Sequence, residues 1–172
     1  MNYKTFETDR LILRPSNASD AAFFLELFNS PKWIKYVGQR NVQTLEDAAA
    51  YIEEKMTSQL ARLGFSNYTV IRKSDNSKLG ACGLYDREGI KGVDIGFAFL
   101  PQFEKKGYAL ESALKIKEAA IEIFDIKKIS GITVKENEAS QKLLEKLGLR
   151  FIKMISLTDN DEELMLYELY ID

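Results

Sequence analysis

The sequence predicts an α/β fold built on a mixed β-sheet. The main observation is a strand–helix–strand unit, with an apolar run at residues 93–100, a helical pattern from Tyr108 to Phe124 and another apolar run from Lys128 to Val134. Strands joined through a helix are normally parallel neighbours with a right-handed crossover. Two pairs of strand-like segments, each joined by a short polar turn, flank this unit and predict antiparallel strands on either side.

The segments before this unit begin with a strand. The apolar run Leu11–Pro15 predicts a short strand that ends at its proline. Ser19 and Asp20 then predict the N-cap of a first helix, because apolar residues recur behind them at helical spacing. The aromatic-rich segment 31–40 is predicted to be a loop.

A second helix is predicted from Thr44 to about Arg62. Thr44 and Asp47 have the spacing of a capping box, and Gly64 supplies a C-terminal stop. The remaining predicted elements are the strands Phe65–Arg72, Lys78–Asp86, Phe151–Leu157 and Glu163–Ile171, the short helix Asn137–Leu147, and the turns 74–77 and 158–161.

Composition indicates one soluble domain that spans residues 1–172. Apolar residues make up 45% of the chain and charged residues 29%, which is typical of globular proteins. The formal net charge of −2 gives no general attraction to nucleic acid. No apolar run reaches the roughly 18 residues of a membrane span, and the N-terminus lacks a signal-peptide core. The sequence therefore predicts a cytoplasmic protein that binds neither nucleic acid nor membrane.

Two residue counts restrict the chemistry. The chain has no histidine and one cysteine, Cys82. This composition excludes Ser-His-Asp and Cys-His nucleophile pairs, histidine metal sites, zinc sites built from several cysteines and an intramolecular disulfide. Any proton transfer must therefore use Asp, Glu, Tyr, Lys, water or the backbone.

The turn at residues 101–109 predicts an anion site. It joins a strand to a helix N-terminus, where the first N–H groups have no partner within the helix and the helix dipole adds partial positive charge. Lys105 and Lys106 add cationic side chains, and Gly107 allows a tight turn. The predicted ligand is a phosphate or pyrophosphate. In the alternative interpretation, the glycine and lysines serve only capping and solubility.

Several motifs together resemble the GNAT N-acetyltransferase superfamily, in particular its RimJ/RimL-like branch of ribosomal-protein N-terminal acetyltransferases. The resemblance implies a GNAT-like fold, in which a mixed, mostly antiparallel sheet of about six to seven strands, with about four helices, binds acyl-CoA at a splayed parallel strand pair. The motifs are Thr8-Asp9-Arg10-Leu11-Ile12-Leu13-Arg14-Pro15, Asp94-Ile95-Gly96-Phe97, the turn 104–109, Asn137-Glu138-Ala139-Ser140 and Glu145-Lys146-Leu147-Gly148-Leu149.

The resemblance implies direct acetyl transfer from acetyl-CoA to a primary amine, without a metal, by a monomer or homodimer. The family's pyrophosphate turn reads Gln/Arg-x-x-Gly-x-Gly/Ala, and Glu104 departs from it. We expect the Glu104 side chain to point to solvent and to weaken coenzyme affinity. Gly96 is predicted either to form a bulge or to accommodate a bulky neighbour. The implied coenzyme-binding residues are Phe97, Ala98, Phe99, Glu104, Lys105, Lys106, Gly107, Tyr108, Ala109, Asn137 and Ser140.

The resemblance also implies catalytic roles for Asp94 and Ser140. Asp94 lies ten residues before Glu104, where many family members carry a glutamate base; the alternative is a solvated strand carboxylate. Leu144 occupies the position at which many members carry the tyrosine acid. Ser140 is therefore expected to contact the sulfur, with Asn137 beside it. Asp94 is also a candidate substrate-binding residue, as are Trp33 and Tyr36; for Trp33, packing is the alternative.

Energetics favour an α-amine as acceptor. Neutralising an α-amine at pH 7 costs roughly 1.4 kcal/mol, whereas a lysine ε-amine costs roughly 4.6 kcal/mol. A modest base such as aspartate suits the first better, which favours a protein or peptide N-terminus. Two alternatives remain: an acetyltransferase for polyamines, amino acids or aminoglycosides, and a regulator that binds acyl-CoA without catalysis.

Overall fold

The computed structural model describes residues 2–157 and 162–172. Its strands form one eight-stranded sheet in the order β1-β2-β3-β4-β5-β6-β8-β7. The GNAT-like α/β fold expected from the sequence is present, with slightly more strands than expected. The strands are β1 Phe6–Glu7, β2 Leu11–Pro15, β3 Asn67–Arg72, β4 Lys78–Tyr85, β5 Val93–Phe99, β6 Lys128–Thr133, β7 Arg150–Ser156 and β8 Glu163–Tyr170.

Helices cover both faces of this sheet. Among the described residues, no helix has the length and apolar character needed to cross a bilayer. The helices are α1 Ala21–Phe28, α2 Pro31–Tyr36, α3 Leu45–Tyr51, α4 Ser58–Leu63, α5 Tyr108–Glu122 and α6 Glu138–Lys146, with a π-helical segment, Ile52–Thr57, joining α3 to α4.

The sheet is antiparallel except at the pair β5–β6. These strands are parallel neighbours, as the strand–helix–strand pattern predicted, but they pair only through Val93 with Ile129 and Asp94 with Ser130. Both strands continue beyond these pairs, so they separate and leave an open cleft. On its other side, β5 is paired with β4 from Asp94 to Phe99.

Alternation along β5 divides its side chains between two cores. Ile95 belongs to the core under α5 and α6, and Phe97 and Phe99 pack against the same core. Ala98 packs against the second core, formed largely by α1 and α3. Because alternate residues share a face, Asp94 and Gly96 lie on the side of Ala98.

One local prediction was wrong, and another was confirmed in part. The segment predicted as a loop contains helix α2, which begins with a proline at one of its first positions. The first helix is entered through a short 3₁₀ turn that has its own N-cap, Asn17. Asp20 is the N-cap residue of α1, as predicted, although its side chain bonds to the Asn17 backbone N–H rather than to α1. The predicted turn at 158–161 lies outside the described residues.

Asp20 also forms a buried ion cluster. Arg14 donates to both of its carboxylate oxygens, at 2.8 and 2.7 Å, and the Lys78 ammonium lies 2.7 Å from Oδ1. The Thr69 hydroxyl and the Asn17 backbone N–H each donate to Oδ2 at 3.0 Å. Burial opposes the charged form of Asp20, but these hydrogen bonds outweigh it and hold its pKa well below the ordinary range.

Candidate functional site

A cavity of about 440 Å³ lies between α2, the end of β5, the turn before α5, and α6. It brings together residues that are more than one hundred positions apart in the sequence. Most of the residues predicted to bind a coenzyme line it: Phe97, Ala98, Phe99, Glu104, Lys105, Gly107, Tyr108, Ala109, Asn137 and Ser140.

The turn before α5 has the backbone geometry of an anion site. Lys105 and Gly107 both adopt left-handed conformations, with φ of 60° and 83°. Gly107 is the N-cap residue, so the N-cap position has no side chain that could cap this end of the helix. The first N–H groups of α5 are therefore left for a ligand.

Arg10, which lies near the N-terminus, contacts this turn and holds it in place. Its Nη1 donates to the Lys106 carbonyl at 3.1 Å, and its guanidinium lies 4.3 Å from the centre of the Tyr108 ring. It also forms an ion pair of 2.6 Å with Glu111, which accepts a second bond of 2.6 Å from Thr8. Lys106 does not line the cavity, and its carbonyl serves this contact instead.

Gly96 lies where β5 has left β6. The pairing of β4 with β5 runs through Gly83 and Gly96 without a break, so the bulge considered for Gly96 is not formed. A Cβ atom at Gly96 would lie 2.7 Å from the Tyr85 ring. Gly96 therefore has the other role considered for it, accommodation of a bulky neighbour.

Asp94 lies at the last rung before β5 and β6 separate. Its side chain is buried, with 1% of the residue exposed. Arg87 donates to Oδ2 at 3.1 Å, while Oδ1 is buried without a hydrogen-bond partner among the described residues. Burial raises the pKa of Asp94, and Arg87 opposes that rise. Asp94 is not among the residues that line the cavity, and it is not a solvated carboxylate.

Helix α6 brings Asn137 and Ser140 to the cavity wall. The Asn137 side chain caps the helix by accepting from the Ser140 backbone N–H at 3.3 Å. Leu144, at the position of the missing tyrosine, is buried against Gly131 of β6. Of these three residues, Asn137 and Ser140 are the ones that line the cavity.

Helix α2 forms the opposite wall with Trp33 and Tyr36. The Trp33 ring packs 4.6 Å from the ring of Phe28, so part of its role is packing. Its indole Nε1 is buried and has no hydrogen-bond partner within the described residues. A buried N–H without a partner is unusual, because a buried indole N–H normally finds an acceptor.

An ion pair joins α2 to the turn before α5. Lys32 of α2 contacts the Glu104 carboxylate directly. The expectation that Glu104 would point to solvent was wrong, since its side chain is mostly buried and paired. The sequence analysis also missed the cavity-lining lysines Lys142 and Lys146 and the bracing residue Arg10. The lysines of α6 recur at helical spacing, which was an available signal for a shared face.

Comparison with known families identifies the family to which this chain belongs. The family described as "Acetyltransferase (GNAT) domain" matches residues 10–150, which is most of the chain. The chain belongs to the GNAT acetyltransferase family. It is thus an N-acetyltransferase, and acetyl-CoA is its cosubstrate.

Individual relatives are distant in sequence and close in fold. The Bacillus subtilis protein YoaA, named as an uncharacterized N-acetyltransferase, is 25% identical over 86% of this chain and 84% of its own length. A GNAT-family acetyltransferase structure from Bacillus anthracis has 22% identity and a TM-score of 0.80, covering 97% of this chain and 98% of that one. RimL, a ribosomal alpha-N-protein acetyltransferase in complex with coenzyme A, has 17% identity and a TM-score of 0.82, covering 98% and 99%.

The residues present fit acetyl-CoA, which supplies an acetyl group activated as a thioester. The uncapped N-terminus of α5 offers N–H groups to a pyrophosphate, and Lys105 adds charge at the same turn. Beyond Asp94, β5 pairs with β4 but not with β6 in the described chain, so its free edge can bind pantetheine amides as an added strand would.

Glu104→Gln should tighten coenzyme A binding by about threefold, because it removes one negative charge beside the pyrophosphate turn and frees the Lys32 ammonium. Lys32→Met should have the opposite effect. Calorimetric titration with coenzyme A measures both. Glu122→Gln, at the far end of α5, is the matched control and should leave the dissociation constant unchanged. Weaker binding by Glu104→Gln would show that the carboxylate assists the coenzyme.

Proposed function

We propose that this acetyltransferase modifies the α-amine of a protein or peptide N-terminus, with Asp94 as general base. The observation that carries the proposal is the position of Asp94, buried at the rung where β5 and β6 separate. A carboxylate there stands at the closed end of the cleft in which the coenzyme would bind. Its unpartnered Oδ1 can accept a proton.

The pKa of Asp94 supports an α-amine as acceptor. Burial raises that pKa and makes the carboxylate a stronger base than an exposed aspartate. The base nevertheless has a smaller task with an α-amine, whose neutral form costs roughly 1.4 kcal/mol at pH 7, than with a lysine side chain at roughly 4.6 kcal/mol. A modest carboxylate base therefore suits the α-amine better.

The wall formed by α2 supports a peptide acceptor. Trp33 and Tyr36 give the cavity an aromatic side, and the Trp33 indole N–H has no acceptor in the described residues. A peptide entering beside α2 brings backbone carbonyl groups that can accept this hydrogen bond. A polyamine has no such acceptor. This contrast favours a peptide over the simplest small amines.

Three other groups complete the proposed chemistry. Backbone N–H groups on the free edge of β5 stabilise negative charge that develops on the carbonyl oxygen. Asn137 orients the cosubstrate from the N-terminus of α6, and Ser140 donates a hydrogen bond to the departing sulfur. Tyr108 and Tyr167 are alternative proton donors. Tyr167 is buried in the core and the Tyr108 hydroxyl accepts a hydrogen bond from Arg72, which supports Ser140 over either tyrosine.

Ser140→Ala should lower kcat about tenfold, since it removes a hydrogen bond to the leaving group. The KM for acetyl-CoA should change little, because the turn before α5 still holds the coenzyme. Release of free thiol measures the rate. Ser58→Ala, which removes an exposed hydroxyl on α4, is the control. A wild-type rate in Ser140→Ala would exclude Ser140 from leaving-group stabilisation.

The test of the acceptor is thiol release from acetyl-CoA with a panel of amines. Short peptides with free N-termini are compared with the same peptides blocked at the N-terminus, and with polyamines, amino acids and aminoglycosides. We expect release with free peptides and its loss on blocking. Release confined to small amines would overturn the peptide proposal, and coenzyme binding without release on any amine would favour a regulator.

A further inference from the structure

Two buried oxygens that lack a partner among the described residues belong to paired residues at the closed end of the cleft. Asp94 and Ser130 are directly paired residues of the parallel strands, so their side chains lie on the same face of the sheet. Ser130 is completely buried, and its Oγ has no hydrogen-bond partner in the part of the chain that the structure describes. Asp94 Oδ1 is likewise buried and has no hydrogen-bond partner among the described residues. Buried polar atoms in this condition call for an explanation.

The charged groups near these two atoms already have other partners. Arg87 occupies Oδ2 of Asp94 at 3.1 Å. Glu168 is paired with Ser130 from the other side of β6, but its carboxylate is held by Lys128 at 2.7 Å and by the Tyr170 hydroxyl at 3.0 Å. Asp94 Oδ1 thus remains an acceptor on this rung to which no group of the described residues donates.

We propose that Ser130 is a positioning residue that holds, together with Asp94 Oδ1, the water through which the acceptor amine loses its proton. Ser130 Oγ and Asp94 Oδ1 both bind this water, which faces the cleft where the two strands separate. This inference rests on the proposed function, because it assigns Asp94 the role of base.

The proton transfer balances in two coupled exchanges. The N–H bond of the acceptor ammonium breaks as an O–H bond forms on the water. One of the water's own O–H bonds breaks as its proton passes to Asp94 Oδ1, so the water is regenerated and the amine becomes neutral. Asp94 later returns this proton to solvent. Ser130 changes no bond in this sequence; its hydroxyl fixes the position of the water.

The experiment compares kcat in four proteins: wild type, Ser130→Ala, Asp94→Asn and the double variant. Ser130→Ala should lower kcat about tenfold, the scale of one lost hydrogen bond, with the KM for acetyl-CoA unchanged. In the Asp94→Asn background the same change should have almost no effect, because the water then leads to no base. Ser130→Thr, which keeps the hydroxyl, should restore most of the rate.

Ser66→Ala is the matched control, since Ser66 is another buried serine whose hydroxyl lacks a partner in the described residues, and it lies just before β3. It should leave kcat unchanged. A wild-type rate in Ser130→Ala, or losses that multiply in the double variant, would overturn the role of Ser130 while Asp94 remains the base. A wild-type rate in Asp94→Asn would remove the base itself, and with it both proposals.

Discussion

Asp94→Asn should lower kcat by at least about 100-fold, because a positioned general base contributes roughly 10²–10⁴ to the rate. Coenzyme A affinity should stay within about twofold of wild type, since Asp94 does not line the cavity that would hold the coenzyme. Asp86→Asn is the control, as Asp86 is an exposed carboxylate just after β4 that pairs with Arg62. A rate near that of wild type would exclude Asp94 as the base.

The same carboxylate predicts the direction of the pH dependence. Burial raises the pKa of Asp94, and Arg87 and Tyr85 are the ionisable groups beside it on β4 and the following turn. As pH falls through this raised pKa, Asp94 takes up a proton and can no longer accept one. The acidic limb of kcat/KM should therefore lie above the ordinary aspartate pKa of about 3.9. A pH–rate profile with a peptide acceptor measures it, and Asp94→Asn should lose that limb.

The largest expected effect on stability comes from Asp20. Asp20→Asn should lower the free energy of unfolding at pH 7 by about 3 kcal/mol, because it removes the buried partner of Arg14 and Lys78. The two cations keep some access to solvent, which places the loss at the lower end of the range for broken buried ion pairs. Urea unfolding followed by circular dichroism measures the change.

Glu118→Gln is the control for Asp20, because Glu118 forms an exposed ion pair with Lys115 on α5. It should cost less than about 0.5 kcal/mol. The Asp20 pKa is depressed in the folded state, so its contribution is complete above about pH 4 and is lost as pH falls through the folded value. The stability gap between wild type and Asp20→Asn should therefore narrow in acid. A gap that widened would contradict the charged state assigned to Asp20.

Features carried by neighbouring residues were predictable from the sequence. The Thr44–Asp47 capping box forms as expected, with each side chain bonded to the other residue's backbone N–H, and Gly64 ends the helix in a left-handed conformation. The strand bounds around the central unit also agree within about two residues, in line with the usual uncertainty of such boundaries. In these segments the residues that determine the local structure lie close together in the sequence.

Features that depend on distant contacts were not predictable. The error at segment 31–40 has a different cause. Its aromatic residues suggested a loop, although the proline at its start was a local signal for helix α2. The N-cap position of Asp20 was predicted but its ion cluster was not, because the approach of Lys78 from β4 leaves no mark near Asp20 in the sequence. Ser130 was passed over for the same reason, since the register of two strands joined by a helix fixes its neighbour.

The brace around Arg10 has a consequence for how the protein folds. The Thr8–Glu111 bond and the Arg10–Lys106 bond close loops of about one hundred residues. Contacts of such high sequence separation carry a large loop-closure entropy, and chains rich in them fold slowly. The brace exists only when the segment around Arg10 has met α5 and the turn before it, so an isolated C-terminal half lacks it. A ligand that binds only the braced turn therefore stabilises the folded chain against global unfolding.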